Sequence, residues 1–271
     1  MASTAHLYEL INPQDPRSVE REVVEPLVAI DPAFDARRLH QLYRDTVALF
    51  QGRYPGYRAS DAWYHDLEHT NAVFICVAAM LHGAHYSGVT ISSRGKLLAL
   101  AAALFHDVGL IRREEETEGT GARYTIGHEA RSIAFMESYF AAHGYRPEDM
   151  LDTRHIILCT VLNKPLHDIP FRTDEVHLLG QILGSADVVA QMADRAYLEK
   201  LLLLYREFRE GRVPGYDSEL ELLEKTPTFT SRWSSGGWRG NSTGPTVFSN
   251  PMPGCTGMWS RNRSTDPSNR T

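Results

Sequence analysis

The amino-acid sequence predicts an all-α protein, and three observations support that prediction. Apolar residues recur at helical spacing along most of residues 20–225. Strand-like alternation of apolar and polar residues is scarce in the same region. The breaks between the periodic segments carry Gly, Pro or Asn, which are typical of turns. We therefore expect one helical domain over residues 20–225, preceded by an N-terminal extension over residues 1–19.

Seven candidate helices follow one another in this domain. Helix 93–107 has Ser92 or Ser93 as its N-cap and Gly109 just beyond its end. It is apolar nearly all round, which predicts a central buried helix. Pro147 precedes a further helix, at a position that proline favours. In chain order the candidates cover residues 18–30, 35–51, 66–82, 93–107, 127–142, 148–162 and 175–210.

The composition changes abruptly at Thr226. From there to Thr271 the chain has no Leu, Ile or Ala and is rich in Ser, Thr, Gly, Pro and Asn. Such a composition predicts a disordered tail over residues 226–271. A second hypothesis is that the tail is translated from a shifted reading frame and replaces a lost C-terminal helix. Sequencing the gene across codon 226 tests that hypothesis, which an intact single frame would contradict.

Composition also narrows the classes of partner and compartment. The 271 residues carry a net charge of −6, which gives no general attraction to nucleic acid or to an anionic membrane. The longest apolar run, Leu97 to Phe105, is far shorter than a membrane span. The first residues lack the pattern of a secretory signal, and the three cysteines lack metal-ligand spacing. We therefore expect a cytoplasmic protein with neither nucleic acid nor membrane as a partner, and its oligomeric state stays open.

Histidines and aspartates embedded in apolar helices are the chemically informative residues of this chain. Unpaired imidazoles and carboxylates are costly to bury, so such groups are rarely left in a core without partners. Nitrogen and carboxylate ligands that converge in a helical core are what a divalent metal requires. The set consists of His65, His69, His106, Asp107, His128, His155 and Asp187.

The members of this set differ in how specific they are. The adjacent His106 and Asp107 end a helix built of Leu, Ala and Phe, although a helix-capping role for the pair is an alternative. His65 and His69 lie four residues apart and so share a helix face, and His65 could instead be an exposed histidine at a helix start. Asp187 falls on an apolar helix face and is expected to point inward. The combination favours a metal site over separate structural roles.

The order of these motifs resembles the HD-domain metal-dependent phosphohydrolase superfamily. The resemblance covers roughly residues 60–200, with a His-Asp pair ending an apolar helix and a late Ala-Asp in a long helix. The segment Tyr64 to His69, YHDLEH, is similar to the YHNxxH segment of cyclic-nucleotide phosphodiesterases in that superfamily. It departs from that branch at Asp66, which replaces the Asn. No segment clearly matches the branch's purine-binding glutamine and aromatic clamp.

The resemblance implies a single HD-type helical domain with a metal site in its core. It implies that His69, His106, Asp107 and Asp187 bind a first metal, and that Asp107 can bridge to a second. His128 and His155 match additional histidines of binuclear members, so two divalent metals are expected. Mn, Fe, Co, Ni, Mg and Zn are not distinguished by these ligands. His65 matches the residue that protonates the leaving group, so His65 and Asp107 are the expected catalytic residues.

The expected activity is hydrolysis of a phosphoester in a nucleotide or another small phosphorylated metabolite. A metal-activated hydroxide would attack phosphorus, and an imidazolium would protonate the departing oxygen. Lys164, and Arg112 or Arg113, are expected to approach the substrate phosphate because phosphates need cationic partners. Two rival functions are a di-iron oxygenase of the same fold and a nucleotide-sensing module that retains metal without turnover.

Overall fold

The computed structural model describes residues 12–161 and 164–234, with residues 227–234 described as backbone only. These residues contain two isolated β-bridges and no strand, which confirms the all-α prediction. No helix among them is long and apolar enough to cross a membrane. The α-helices are α1 (Pro16–Ile30), α2 (Ala36–Phe50), α3 (Leu67–Tyr86), α4 (Ser93–Phe105), α5 (His128–Ala142), α6 (Pro147–Ile157), α7 (Asp174–Ala193), α8 (Tyr197–Glu210) and α9 (Glu219–Ser234).

Helix α4 is the centre of the domain, as its apolar sequence predicts. Every residue from Gly95 to Phe105 is buried, and the helix packs against α2, α3, α5, α6 and α7. Ser92 is the N-cap, with its side-chain oxygen accepting a hydrogen bond from Gly95 N at 2.9 Å. The C-terminal end of α4 therefore delivers the His106–Asp107 pair into the interior of the helical assembly.

Two long helices enclose that end of α4. Helices α3 and α7 pack along one another, and both also contact α4. His69 lies in the first turn of α3, and Asp187 lies in the C-terminal half of α7. Their packing explains how residues far apart in the sequence come to surround the same point.

The predicted helix over residues 175–210 is in fact two helices, α7 and α8. The break lies at Asp194, whose backbone is extended and whose side chain accepts a hydrogen bond from Ala196 N at 2.8 Å. Such Asp turns compete with helix continuation. Beyond the break, α8 turns back and forms a second small core with Tyr64, in which Leu201, Leu204, Tyr205 and Leu222 are buried.

Both ends of the described chain depart from the predicted boundaries. Helix α1 starts within the predicted extension, because Asp15 caps it and Pro16 occupies its first position. Its Val19 is fully buried in the core. Helix α9 continues past Thr226 to Ser234, so the helical part of the chain extends into the predicted tail. The rest of the expected tail, and residues 1–11, lie outside the described residues.

Candidate metal centre

The start of α3 fixes the position of His69. Asp66 caps the helix, and its Oδ1 accepts a hydrogen bond from His69 N at 2.9 Å. This cap satisfies a backbone donor that the helix itself leaves free. The His69 side chain is buried, so its ring is directed to the interior rather than to solvent.

Two further histidines are oriented by backbone carbonyls. Nδ1 of His106 lies 2.8 Å from Ala103 O, and Nδ1 of His128 lies 2.8 Å from Thr125 O. A carbonyl accepts only, so Nδ1 must carry the proton in both rings. Each Nε2 then offers its lone pair on the opposite side of the ring, which is the arrangement that metal-binding histidines adopt.

These Nε2 atoms converge on two carboxylates. His69 Nε2 lies 3.4 Å from Asp107 Oδ2 and 3.2 Å from Asp187 Oδ1. His106 Nε2 lies 3.1 Å from the same Asp107 oxygen and 3.8 Å from the same Asp187 oxygen. His128 Nε2 lies 3.2 Å from the other Asp107 oxygen, Oδ1. Asp107 thus faces histidines with both of its oxygens.

Three atoms at the centre of this group are buried without a hydrogen-bond partner. They are His69 Nε2, His106 Nε2 and Asp107 Oδ2, which lie close to one another but lack hydrogen-bond geometry. Buried polar atoms are rarely left in this state, because the cost of desolvation is not recovered. One ligand atom from each residue lies within 4.8 Å of the other two. His69, His106 and Asp107 could therefore bind a metal ion.

Charge accumulates strongly at this point. Burial lowers the pKa of His69, but the carboxylates of Asp107 and Asp187 outweigh it and raise that pKa to about 10. The pKa of His128 is raised to about 9, because Asp107 outweighs the effect of burial. Burial raises the pKa of Asp107, yet the surrounding histidines, His106 foremost, hold it well below its ordinary value. A cation bound here would replace the Nε2 protons that the carboxylates favour, because metal-binding histidines are neutral.

Gly109 allows α5 to approach the turn that follows Asp107. A Cβ at this position would lie 2.0 Å from the backbone oxygen of His128. The close approach is held by two hydrogen bonds, from Gly109 N to Ser132 Oγ at 2.8 Å and from Arg131 Nε to Gly109 O at 2.7 Å. The absence of a side chain at Gly109 thus places His128 beside Asp107 Oδ1.

His65 lies beside this group and is held by a buried glutamate. Its Nδ1 is 2.5 Å from Glu207 Oε2, and its backbone N donates to Glu207 Oε1 at 3.2 Å. Glu207 also accepts from Tyr64 N at 2.6 Å and is completely buried. Burial raises the pKa of Glu207, but the neighbouring His65 outweighs this and lowers it. The ring centroids of His65 and His69 are 5.5 Å apart.

The sequence did not indicate Glu207. The signal that could have identified it is an acid on the buried face of an amphipathic segment, three residues after the buried Leu204. The predicted uninterrupted helix over residues 175–210 concealed its significance, since such a helix would carry residue 207 away from Asp187. The break at Asp194 is what returns Glu207 to His65.

The structure does not bring all predicted ligands together. Among the described residues, no ion pair, hydrogen bond or ring contact joins His155 to this group. Its ring instead packs edge-to-face on Phe171 at 6.2 Å, and burial lowers its pKa. His155 is buried on α6, and its Nδ1 has no hydrogen-bond partner, so its role as a metal ligand stays a prediction.

Of the predicted phosphate-binding cations, Arg112 is engaged within the protein. Arg112 is committed to the protein, with Nη2 2.5 Å from Asp61 Oδ2 and Nη1 donating to Glu116 O at 3.1 Å. It therefore braces the loop after the His-Asp pair rather than offering a free guanidinium. Lys164 is half-buried, directly after two residues that lie outside the described part of the chain, and its role as a phosphate ligand stays a prediction.

Comparisons of this chain with protein-family models, with curated proteins and with solved structures find no match. The function must therefore be inferred from the chemistry of the site itself.

Proposed function

We propose that this protein is a metal-dependent hydrolase of the HD superfamily, and that it cleaves a phosphoester in a nucleotide or another small phosphorylated metabolite. One observation carries the proposal. Three buried ligand atoms, on His69, His106 and Asp107, meet without hydrogen-bond partners at the end of the central helix. A divalent cation would satisfy all three at once.

The candidate ligands divide into two groups, one for each of two ions. His69, His106, Asp107 Oδ2 and Asp187 would hold a first ion, and Asp107 Oδ1 with His128 would hold a second. A cation held there would supply a bound water of lowered pKa and would neutralise charge on phosphoryl oxygens. Because His155 packs elsewhere, a second ion would have fewer protein ligands than the six-residue set predicts.

His65 is suited to donate a proton to the departing oxygen. Glu207 occupies its Nδ1, which leaves Nε2 to carry the transferred proton. The carboxylate also fixes the ring orientation, because Glu207 is itself held by the backbone N–H groups of Tyr64 and His65. In the proposed reaction a water molecule that has given one proton to solvent bonds through its oxygen to phosphorus, the ester P–O bond breaks, and protonated His65 gives its Nε2 proton to the leaving alkoxide.

Metal content and phosphoester hydrolysis test the proposal directly. We would measure metals per chain on the purified protein. We would then follow phosphate release from nucleotides, nucleoside monophosphate formation from cyclic nucleotides, and nitrophenolate release from a nitrophenyl phosphodiester. Asp107→Ala and His69→Ala are expected to lose both metal and turnover. His65→Ala should retain metal while turnover falls by about 10²- to 10⁴-fold, the usual contribution of general acid catalysis. His167→Ala is the matched control, because that histidine is exposed.

Each other outcome contradicts a defined part of the proposal. Wild-type protein without metal would exclude the metal centre. Metal without hydrolysis of any of these substrates would contradict the hydrolase and favour a sensing module. Two irons with oxygen consumption would favour the oxygenase. Loss of metal in His65→Ala would show that His65 is a ligand rather than a proton donor.

A further inference from the structure

Arg131 connects several parts of the chain around the candidate ligands of the second ion. It lies in the first turn of α5, three residues after His128, and its side chain is 30% exposed. Its Nε donates to Gly109 O at 2.7 Å, two residues after Asp107. Its two Nη atoms donate to the two carboxylate oxygens of Glu116, each at 2.9 Å. A guanidinium engaged in this way acts as a clamp, because its planar donors match only one arrangement of partners.

The same guanidinium supports the turn that orients the His128 ring. Its carbon atom lies 3.7 Å from the centroid of the Tyr124 ring. Tyr124 precedes Thr125, whose carbonyl oxygen lies 2.8 Å from His128 Nδ1. That hydrogen bond directs His128 Nε2 toward Asp107 Oδ1, 3.2 Å away. Arg131 therefore contacts both the turn that follows one candidate ligand and the turn that precedes the other.

These two ligands are joined by a long connection with little regular structure. Residues 108–127 form it, and their helical parts are two short 3-10 helices. Ordering such a segment costs conformational entropy, which contacts from the rest of the protein must offset. Arg131 contacts the connection at Gly109, Glu116 and Tyr124. One side chain thus ties the start, the middle and the end of the connection to the first turn of α5.

We propose that Arg131 is a positioning residue, which holds His128 against Asp107 Oδ1 and so builds the half of the centre assigned to the second ion. This inference rests on the two-ion division in the proposed function. Arg131 acts through the backbone of Gly109 and through the Tyr124 ring. The other candidate ligands of the first ion are carried by α3, α4 and α7, so their positions do not depend on this clamp. Loss of Arg131 should therefore weaken the second ion selectively.

Titration of the full-length protein with Mn²⁺ tests this inference without any substrate. The electron paramagnetic resonance signal of free Mn²⁺ gives the affinity of the first and the second equivalent. Arg131→Met keeps an unbranched side chain but removes every donor. It should weaken the second equivalent by about ten- to hundred-fold, the usual effect of losing a group that orients a metal ligand, and leave the first unchanged. Arg131→Lys keeps the charge without the planar fork, so its loss should be smaller.

Arg154→Met is the matched control, because Arg154 donates to Glu137, a residue further along α5, at 2.8 Å. It should leave both equivalents unchanged. If Arg131→Met does not fold, Tyr124→Leu replaces it, since this variant removes the ring beside the guanidinium and keeps the hydrogen bonds of Arg131. Tyr124→Leu should weaken the second equivalent by about two- to five-fold. Equal weakening of both equivalents, or an unchanged second equivalent, would overturn the inference.

A wild type that binds one ion or none would contradict the two-ion part of the proposed function separately. Crystal structures of the wild type and of the folded variant would then decide the positioning role. A longer separation between His128 Nε2 and Asp107 Oδ1 in the variant would support that role, and an unchanged separation would overturn it.

Discussion

Replacement of Gly109 by alanine tests how the centre is assembled. The residue follows Asp107 by two positions, and its hydrogen atoms face the start of α5. In Gly109→Ala the new methyl group would lie 2.0 Å from His128 O and 2.8 Å from Ser132 N. Carbon–oxygen contacts shorter than about 3 Å are essentially absent from folded proteins, so the start of α5 must move.

The movement of α5 that the methyl group requires determines how much unfolding free energy the variant loses. His128 is the first residue of α5, and its backbone must retreat by about 1 Å to accept the methyl group. The same movement strains the hydrogen bonds of Gly109 to Ser132 and Arg131, each worth about 1 kcal/mol. Overpacking itself costs about 1–3 kcal/mol. We therefore expect Gly109→Ala to lose about 2–5 kcal/mol of unfolding free energy, and His128 to withdraw from Asp107.

Urea unfolding and metal titration measure the two consequences separately. Ser132→Ala is the control, because it removes one hydrogen bond without occupying space, and it should lose only about 1 kcal/mol. Gly109→Ala should also lower the affinity for the second equivalent of metal more than for the first, since His128 Nε2 lies 3.2 Å from Asp107 Oδ1, the oxygen assigned to the second ion. Wild-type stability and unchanged metal titration in Gly109→Ala would refute this account of the packing.

Three further predictions concern separate parts of the molecule. Glu207→Gln should retain metal but reduce turnover at least ten-fold, whereas a variant that loses metal would place Glu207 in the ligand set. His155→Ala should keep the wild-type metal stoichiometry in elemental analysis, because the His155 ring packs on Phe171. Loss of one equivalent of metal would instead show that His155 is a ligand. Burial raises the pKa of Glu116, but Arg131 outweighs it and lowers that pKa from its ordinary 4.5 to about 2. The ion pair therefore stabilises the fold above pH about 4.5. That stabilisation is lost as the pH falls toward 2. Glu116→Gln should therefore show a weaker loss of stability over this interval in acid unfolding followed by circular dichroism, and an unchanged slope would contradict the pairing.

The centre of the fold was predictable because its sequence is unambiguous. Helix α4 is apolar on every side, so it can only be buried, and polar residues at its end must find partners. The positions of His69 and Asp187 were likewise readable, since each interrupts an apolar helix face. What the pattern could not supply is the distance between the helices. The convergence on Asp107 is a result of the packing of α3, α4 and α7.

Burial alone is an ambiguous signal in a sequence. An inward-facing histidine on an amphipathic helix can be a ligand or a packed core group, and the ring contact of His155 with Phe171 leaves its ligand role a prediction. Glu207 is the converse case, because an acid in a charged segment usually faces solvent. Tertiary contacts decide such cases, and for Glu207 the deciding contact follows from the turn at Asp194.

That turn links the two halves of the candidate site. Lys200 Nζ lies 2.5 Å from Asp194 Oδ2 and 2.8 Å from Glu68 Oε1, so one ammonium joins the α7–α8 turn to the first turn of α3. Glu68 is the residue before His69, and the same turn sets the path of α8 and hence the position of Glu207. Because the ammonium is largely shielded from solvent, its two ion pairs are screened less than surface pairs. Lys200 and Glu207 therefore both join the α8 region to the segment around the start of α3, and together they set the spacing between the candidate ligand His69 and the candidate proton donor His65.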